Sequence, residues 1–121
     1  MSNTFFPERP KIQPTIYAYE LVDVPTHRGL LKVGCTGRDA RERVREQLGT
    51  AALSYRIVLE ESAMRNDGTV FTDRDVHRML QINGIQRRER EWFECSVADV
   101  KAAILAVRNG QLEAERRSLN F

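Results

Sequence analysis

Three stretches of the chain alternate apolar with polar side chains, and three more repeat apolar residues at helical spacing. Residues 15–21, TIYAYEL, place Tyr17, Tyr19 and Leu21 on one side of a strand rich in β-formers. Residues 30–35, LLKVGC, set Leu31, Val33 and Cys35 against Lys32. The short connection between them closes on Gly29, which predicts an antiparallel hairpin. Residues 54–62, SYRIVLEES, alternate Tyr55, Ile57 and Leu59 against Arg56, Val58 and Glu60 as a third strand. Ala40, Val44 and Leu48 recur every four residues, so residues 39–48 read as a helix with Thr36 or Asp39 as N-cap and Gly49 as stop. Asn66-Asp67-Gly68 is a turn. A second helix begins at Thr72, whose pairing with Asp75 suits a capping box, and buries Val76, Met79 and Leu80 before Asn83-Gly84. GIQRRER reads as a basic loop and EWFEC (91–95) as a short strand or extended segment. Ser96 and Asp99 cap a third helix with Val97, Val100, Ile104 and Val107 inward and Gly110 at its end.

The order β-β-α-β-α-β-α predicts an α+β fold: a small antiparallel sheet of three strands (15–21, 30–35 and 54–60) flanked by helices. A sheet this small needs the helices to bury its apolar face. Pro7, Pro10 and Pro14 make residues 1–14 an extended arm. Residues 15–110 form the domain, and 111–121 form a polar tail or a linker to a further domain.

Length changes this picture little, since 121 residues suit one domain. No apolar run approaches the roughly 20 residues of a membrane span, and MSNTFFPERP lacks the pattern of a signal peptide, so a cytoplasmic location is expected. Cys35 and Cys95 match no metal spacing and read as reduced thiols. A net charge of +2 is a weak pointer to nucleic acid. The makeup of the charge says more: of 19 basic residues only Lys11, Lys32 and Lys101 are lysines. The rest are arginines, whose planar donor fork suits phosphate.

Five features could carry chemistry, and each also has an ordinary structural role. Tyr17 and Tyr19 can be packing residues of a strand. Lys32, flanked by Leu31 and Val33, can face solvent on a sheet edge. Arg38, Arg41, Arg43 and Arg45 can form a solvated helix face, although Arg43 borders the apolar stripe through Val44 and could reach toward the sheet. Asp73 and His77 lie four apart on one helix face, where an aspartate can simply complement the helix dipole. Glu91-Trp92-Phe93 follows Arg87, Arg88 and Arg90, which pairs core aromatics with cations able to meet phosphate.

Taken in order, TIY at 15–17, KVG at 32–34 followed by Cys35 and Thr36, and Arg43 on the next helix resemble the GIY-YIG nuclease superfamily. That superfamily has a GIY strand, a YIG strand, a catalytic arginine on the following helix and a metal-binding acid on a later helix. The chain is more similar to a phage-type subgroup whose second motif reads KIG or KVG. There a helix bearing an acid and a histidine precedes an EWF segment, here Asp73, His77 and Glu91-Trp92-Phe93. Three positions depart from the general pattern: Thr15 stands for glycine, Lys32 for the second tyrosine and Asp73 for glutamate.

The resemblance implies a GIY-YIG-like fold that hydrolyses DNA phosphodiesters with one divalent cation, Mg2+ or Mn2+. It implies Tyr17 as the base or the residue orienting water, Arg43 as the phosphate clamp and Asp73 as the metal ligand. Glu60, Glu61, Asp75 and Glu91 stay open as alternative acids. A phenol with a pKa of about 10 is a poor base at neutral pH. Lys32, expected beside Tyr17 across the hairpin, would lower that pKa or act as base itself. His77 would orient Asp73, contact phosphate or donate a proton, and Arg38, Arg41, Arg87, Arg88 and Arg90 would bind DNA. Similar domains occur fused to larger helicase-like enzymes, which makes a helicase-like partner domain an expectation here. The alternative is a DNA-binding module of the same fold that has lost catalysis.

Overall fold

The computed structural model describes residues 13–112, so most of the expected N-terminal arm (1–14) and polar tail (111–121) lies outside the described residues. The elements are β1 (Thr15–Val22), β2 (Leu30–Thr36), α1 (Ala40–Leu48), β3 (Ser54–Ser62), α2 (Asp73–Ile82), β4 (Arg87–Glu89), β5 (Trp92–Glu94) and α3 (Val97–Arg108). A short 3-10 turn at Pro25–His27 joins the first two strands. The strands form one antiparallel sheet in the order β3-β1-β2-β5-β4. The class is therefore α+β, as the periodicity predicted. Among the described residues no helix is long and apolar enough to cross a membrane.

The sheet has five strands where the pattern of apolar positions indicated three. EWFEC contributes β5, which pairs with β2 through Leu30–Glu94, Leu31–Phe93 and Lys32–Trp92. The basic segment read as a loop supplies β4, whose residues Arg87, Arg88 and Glu89 are all exposed. A three-residue charged strand at a sheet edge buries no face, so it leaves no alternation to read; its charges also discourage edge-to-edge pairing.

The sheet divides the core into two clusters. On one face Ile16, Ala18, Leu31, Val33, Leu59 and Phe93 pack against Val76, Met79 and Leu80 of α2 and Val100, Ala103, Ile104 and Val107 of α3. On the other face Tyr17, Tyr19 and Trp92 pack against Ala40 and Val44 of α1. Each large apolar side chain removed from water contributes about 1.5–3 kcal/mol. β1 is buried on both faces because the sheet has helices on both sides, so its polar-looking tyrosines are as enclosed as its isoleucine.

The predicted single face for Tyr55, Ile57 and Leu59 does not hold. Tyr19 pairs with Ile57 while Ala18 pairs with Leu59, which leaves Val58 as the extra residue of a β-bulge. The phase flips there: Tyr55 and Ile57 pack under α1, whereas Val58 and Leu59 join the α2–α3 cluster. Local signals set the helix boundaries well. Thr72 with Asp75 and Ser96 with Asp99 form reciprocal capping boxes. For α1, Asp39 occupies the cap position without a side-chain cap bond, and Thr36 Oγ1 instead accepts the Arg38 N–H at 3.0 Å, bracing the turn into the helix.

Candidate active site

The face under α1 carries polar tips on an apolar floor. Tyr17 and Tyr19 lie two residues apart on β1 with rings stacked at 6.3 Å, and both are buried. Tyr17 pairs across the hairpin with Gly34, and a Cβ at that position would lie 2.5 Å from both Cζ and Oη of the tyrosine. The glycine of KVG is thus the clearance that lets the Tyr17 ring lie flat across β2. Its hydroxyl then reaches α1, where Gln47 Nε2 donates to it at 2.9 Å. Burial raises the Tyr17 pKa, opposed by the Gln47 hydrogen bond and by the Arg43 charge. Tyr19, desolvated by burial and beside Tyr17 and Glu91, is raised well above the ordinary phenol range.

Lys32 shares this face, but it pairs with Tyr19, not with Tyr17. The expected position directly across from Tyr17 belongs to Gly34, so lysine and tyrosine are diagonal neighbours. Its other neighbour is Trp92 of β5. Burial lowers the Lys32 pKa; Glu91 opposes the shift, Arg43 and Arg90 reinforce it, and Asp73 opposes it. The nearest anion is Glu91, with Oε2 3.9 Å from Nζ. Lys32 is therefore not a solvated edge lysine. It is a half-desolvated cation in the field of two carboxylates and two guanidiniums.

Glu91 and Arg90 form the two-residue turn between β4 and β5, and Arg90 adopts φ 45°. A left-handed conformation at a residue other than glycine costs roughly 1–2 kcal/mol. The turn places Arg90, Glu91 and Arg87 along an open cleft of about 450 Å3, whose opposite wall is Asp73, Arg74 and His77 of α2. The Arg87 guanidinium also lies 5.2 Å over the Phe93 ring.

His77 is 4% exposed, and its Nε2 donates to the Val33 carbonyl at 2.7 Å. A carbonyl only accepts, so Nε2 carries the hydrogen. The Val33 N–H on the same strand edge donates to the Glu91 carbonyl at 3.1 Å. His77 thus satisfies the edge of β2 at the point where β5 has ended. The same nitrogen lies 4.0 Å from Asp73 Oδ2, and the ring packs 4.9 Å from Phe93.

The remaining predicted residues divide. Arg38 is bound to Glu46 through both guanidinium nitrogens at 2.8 and 2.6 Å. Arg41 is exposed on the outer surface of α1. Arg88 lines a different pocket, with His27 and Glu89, and is paired with Glu94 at 2.6 Å. Of the open acids, Asp75 accepts from the Thr72 N–H at 3.3 Å in its capping box, and Glu61 lies 3.7 Å from Arg108. Glu60 pairs with Tyr17 from β3 and is exposed, while Glu91 lines the cleft.

The T5orf172 domain model matches residues 15–108. The chain belongs to the T5orf172 domain family. This is a phage-associated domain of endonuclease type. No curated protein and no solved structure matches the chain. In this T5orf172 domain, Arg74 and Gln47 are the site residues that pattern reading missed. Arg74 adjoins Asp73 in the first turn of α2. Gln47 follows Arg43 by four, so both border the same apolar stripe of α1, and that spacing was the available signal.

A divalent cation can be tested against the donor set. Among the described residues no three His, Cys, Asp or Glu side chains form a cluster. Asp73 and Glu91 both line the cleft. One or two carboxylates completed by water suit Mg2+, which keeps much of its hydration, and do not suit a closed zinc site. The residues present therefore fit a hard, hydrated cation.

Proposed function

We propose that this T5orf172 domain is a divalent-metal-dependent DNA endonuclease of GIY-YIG type, in the subgroup bearing KVG and a downstream EWF. The observation that carries the reading is the cleft that gathers Asp73 and Glu91 with Arg74, Arg87 and Arg90, and the Lys32 ammonium 3.9 Å from Glu91. Carboxylates able to hold a cation thus stand among guanidiniums able to meet phosphate, a combination that phosphoryl transfer uses.

In hydrolysis a water oxygen forms a bond to phosphorus and a sugar oxygen leaves. The water proton passes to a base, and a proton ends on the leaving oxygen. As the phenolate, which the charge of Arg43 favours, Tyr17 accepts that first proton, or as the phenol it orients the water, while Lys32 supports the phenolate or, once it has lost its own proton, accepts the water proton in its stead. Arg43 holds the scissile phosphate with its donor fork. Asp73, with Glu91 beside the same cleft, would hold Mg2+ or Mn2+, which supplies charge stabilisation at the leaving oxygen. His77 braces the β2 edge through the Val33 carbonyl, with its Nε2 4.0 Å from Asp73. Arg87, Arg90 and Arg74 meet flanking phosphates, since they line the cleft.

The test is nicking of supercoiled plasmid with Mg2+ and with Mn2+, beside an Arg43→Ala control. Metal-dependent nicking that disappears in the control supports the reading. Salt-sensitive DNA binding with no cleavage under any divalent ion would instead establish a binding module of the same fold.

A further inference from the structure

Gln47 holds both tyrosines of the site at once. Its Nε2 donates to Tyr17 Oη at 2.9 Å, and its Oε1 accepts from Tyr19 Oη at 3.4 Å. The two ends of an amide are chemically opposite, one donor-only and one acceptor-only, so its orientation decides what each phenol does. With Nε2 on Tyr17, that phenol oxygen is an acceptor and its own hydrogen must point elsewhere. With the amide reversed, Tyr17 would donate to Oε1 and its hydrogen would be tied up inside the protein. Tyr19 is 1% exposed and packed between Tyr17 and Trp92, and its hydroxyl hydrogen needs an acceptor. Oε1 of Gln47 is that acceptor, which leaves Nε2 for Tyr17.

We propose that Gln47 is a positioning residue for Tyr17: its amide N–H makes the phenol oxygen an acceptor and turns the phenol hydrogen away from α1, and Tyr19 locks the amide in that orientation. Gln47 exerts the largest influence favouring the Tyr17 phenolate, ahead of the Arg43 charge. The other groups facing Tyr17 are Arg43 from α1, Tyr19 beside it, Lys32 from β2, Glu60 from β3 and Glu91 from the β4–β5 turn. None of these carries both a donor and an acceptor at fixed separation, as the amide does. Two phenols and one amide thus form a hydrogen-bonded chain in which a residue of α1 sets the proton direction at Tyr17. The consequence for rate rests on the nuclease reading above; the consequence for the acidity of Tyr17 does not.

The experiment uses the full chain labelled with 13Cζ-tyrosine, its three tyrosines assigned by single Tyr→Phe variants and titrated by NMR into alkaline pH. Gln47→Glu offers only acceptors and adds charge, so the Tyr17 titration should move upward by about one pH unit or more, the scale of a lost donor facing a buried anion. Gln47→Leu should move it upward by less, Tyr19→Phe by less again, and Tyr55 should stay where it is. In the nicking assay the pH dependence of kcat should shift in the same direction. The fall should be about tenfold for Gln47→Leu and about 10²-fold for Gln47→Glu, the scale of general acid–base catalysis, with DNA affinity unchanged. A Tyr17 titration unmoved in folded Gln47→Glu overturns the proposal; if that variant does not fold, an unmoved titration in Gln47→Leu overturns it equally. A moved titration with an unmoved pH–rate profile overturns the catalytic role. A parent chain that cleaves nothing, yet shows the moved titration, sustains the positioning of Tyr17 and removes the nuclease reading.

Discussion

The two faces of the sheet are built from different materials. Under α2 and α3 the contacts are aliphatic and aromatic, drawn from both helices, with Ile16, Val33, Met79, Leu80 and Ile104 entirely removed from water. Under the shorter α1 the floor is Tyr17, Tyr19 and Trp92, with only Ala40 and Val44 of the helix fully buried above it. The first face has His77 as its buried polar group, and that ring reaches the sheet edge. The second face holds hydroxyls, an amide and an ammonium in half-desolvated surroundings. The difference shows a division of labour: a dry face supplies the rigidity that lets the other keep polar groups away from full hydration, where their proton affinities shift. α2 serves both packing and the cleft: Val76, Met79 and Leu80 bury into the dry core while Asp73 and Arg74 at its start line the cleft.

The contrast between the faces can be broken most sharply at Arg43. Its side chain is 41% exposed, so Arg43→Ala should leave the melting temperature nearly unchanged while plasmid nicking falls by about 10³-fold, the scale of a lost electrostatic clamp. A large loss of stability would place Arg43 among structural groups instead. The converse holds on the dry face: Ile104→Ala should cost about 2–5 kcal/mol in urea unfolding, with cleavage by the remaining folded fraction little altered.

Lys32→Met comes next, with a loss of about 10²-fold in cleavage. Its stability effect has a defined sign. Burial lowers the Lys32 pKa, so the folded chain disfavours the charged form, and the penalty is fully present below the folded pKa. It fades as pH rises from the folded value toward the unfolded one of about 10.4. Lys32→Met should therefore raise the melting temperature at neutral pH, and the gain should shrink in alkali. A gain independent of pH would mean that the ammonium is freely hydrated.

Gly34→Ala probes the clearance under Tyr17. The added carbon meets Cζ and Oη at 2.5 Å, so the ring must lift, at about 1–3 kcal/mol of stability and with loss of the Gln47 bond. Smallest is the distinction among the basic residues near β4. Replacing Arg87 and Arg90 should weaken DNA binding and flatten its salt dependence by roughly two phosphate contacts. Arg88→Ala should change neither, because Arg88 faces a separate pocket and is held by Glu94. Equal effects would show that the cleft does not define the DNA track.

Much of this is legible in the sequence wherever the signal is local. The capping pairs Thr72–Asp75 and Ser96–Asp99, the stop at Gly49 and the stripe Ala40, Val44, Leu48 depend on residues three or four apart, and α1, α2 and α3 lie where those signals put them. The order of Tyr17, Lys32, Arg43 and Asp73 is likewise visible as spacing along the chain. What they share is not. The bulge at Val58 depends on how β3 registers against β1, and no alternation within β3 reveals it. β4 has no buried face to announce it. Arg87 and Arg88 are adjacent and chemically alike, yet strand alternation sends one to the cleft and the other away from it.

By itself, then, the sequence determined the class of the fold, the helices with their ends, the central hairpin and the residue types available for chemistry, because propensities, caps and periodicities act within a turn or two of chain. Only the tertiary structure decided that Gly34, not Lys32, stands across from Tyr17, that His77 closes the edge of β2 where β5 stops, and that Gln47 bridges two phenols thirty and twenty-eight residues away. Those relations are set by strand register and by the packing of α1 on the sheet. Register and packing are minimised over the whole chain at once, so no local window of sequence contains them.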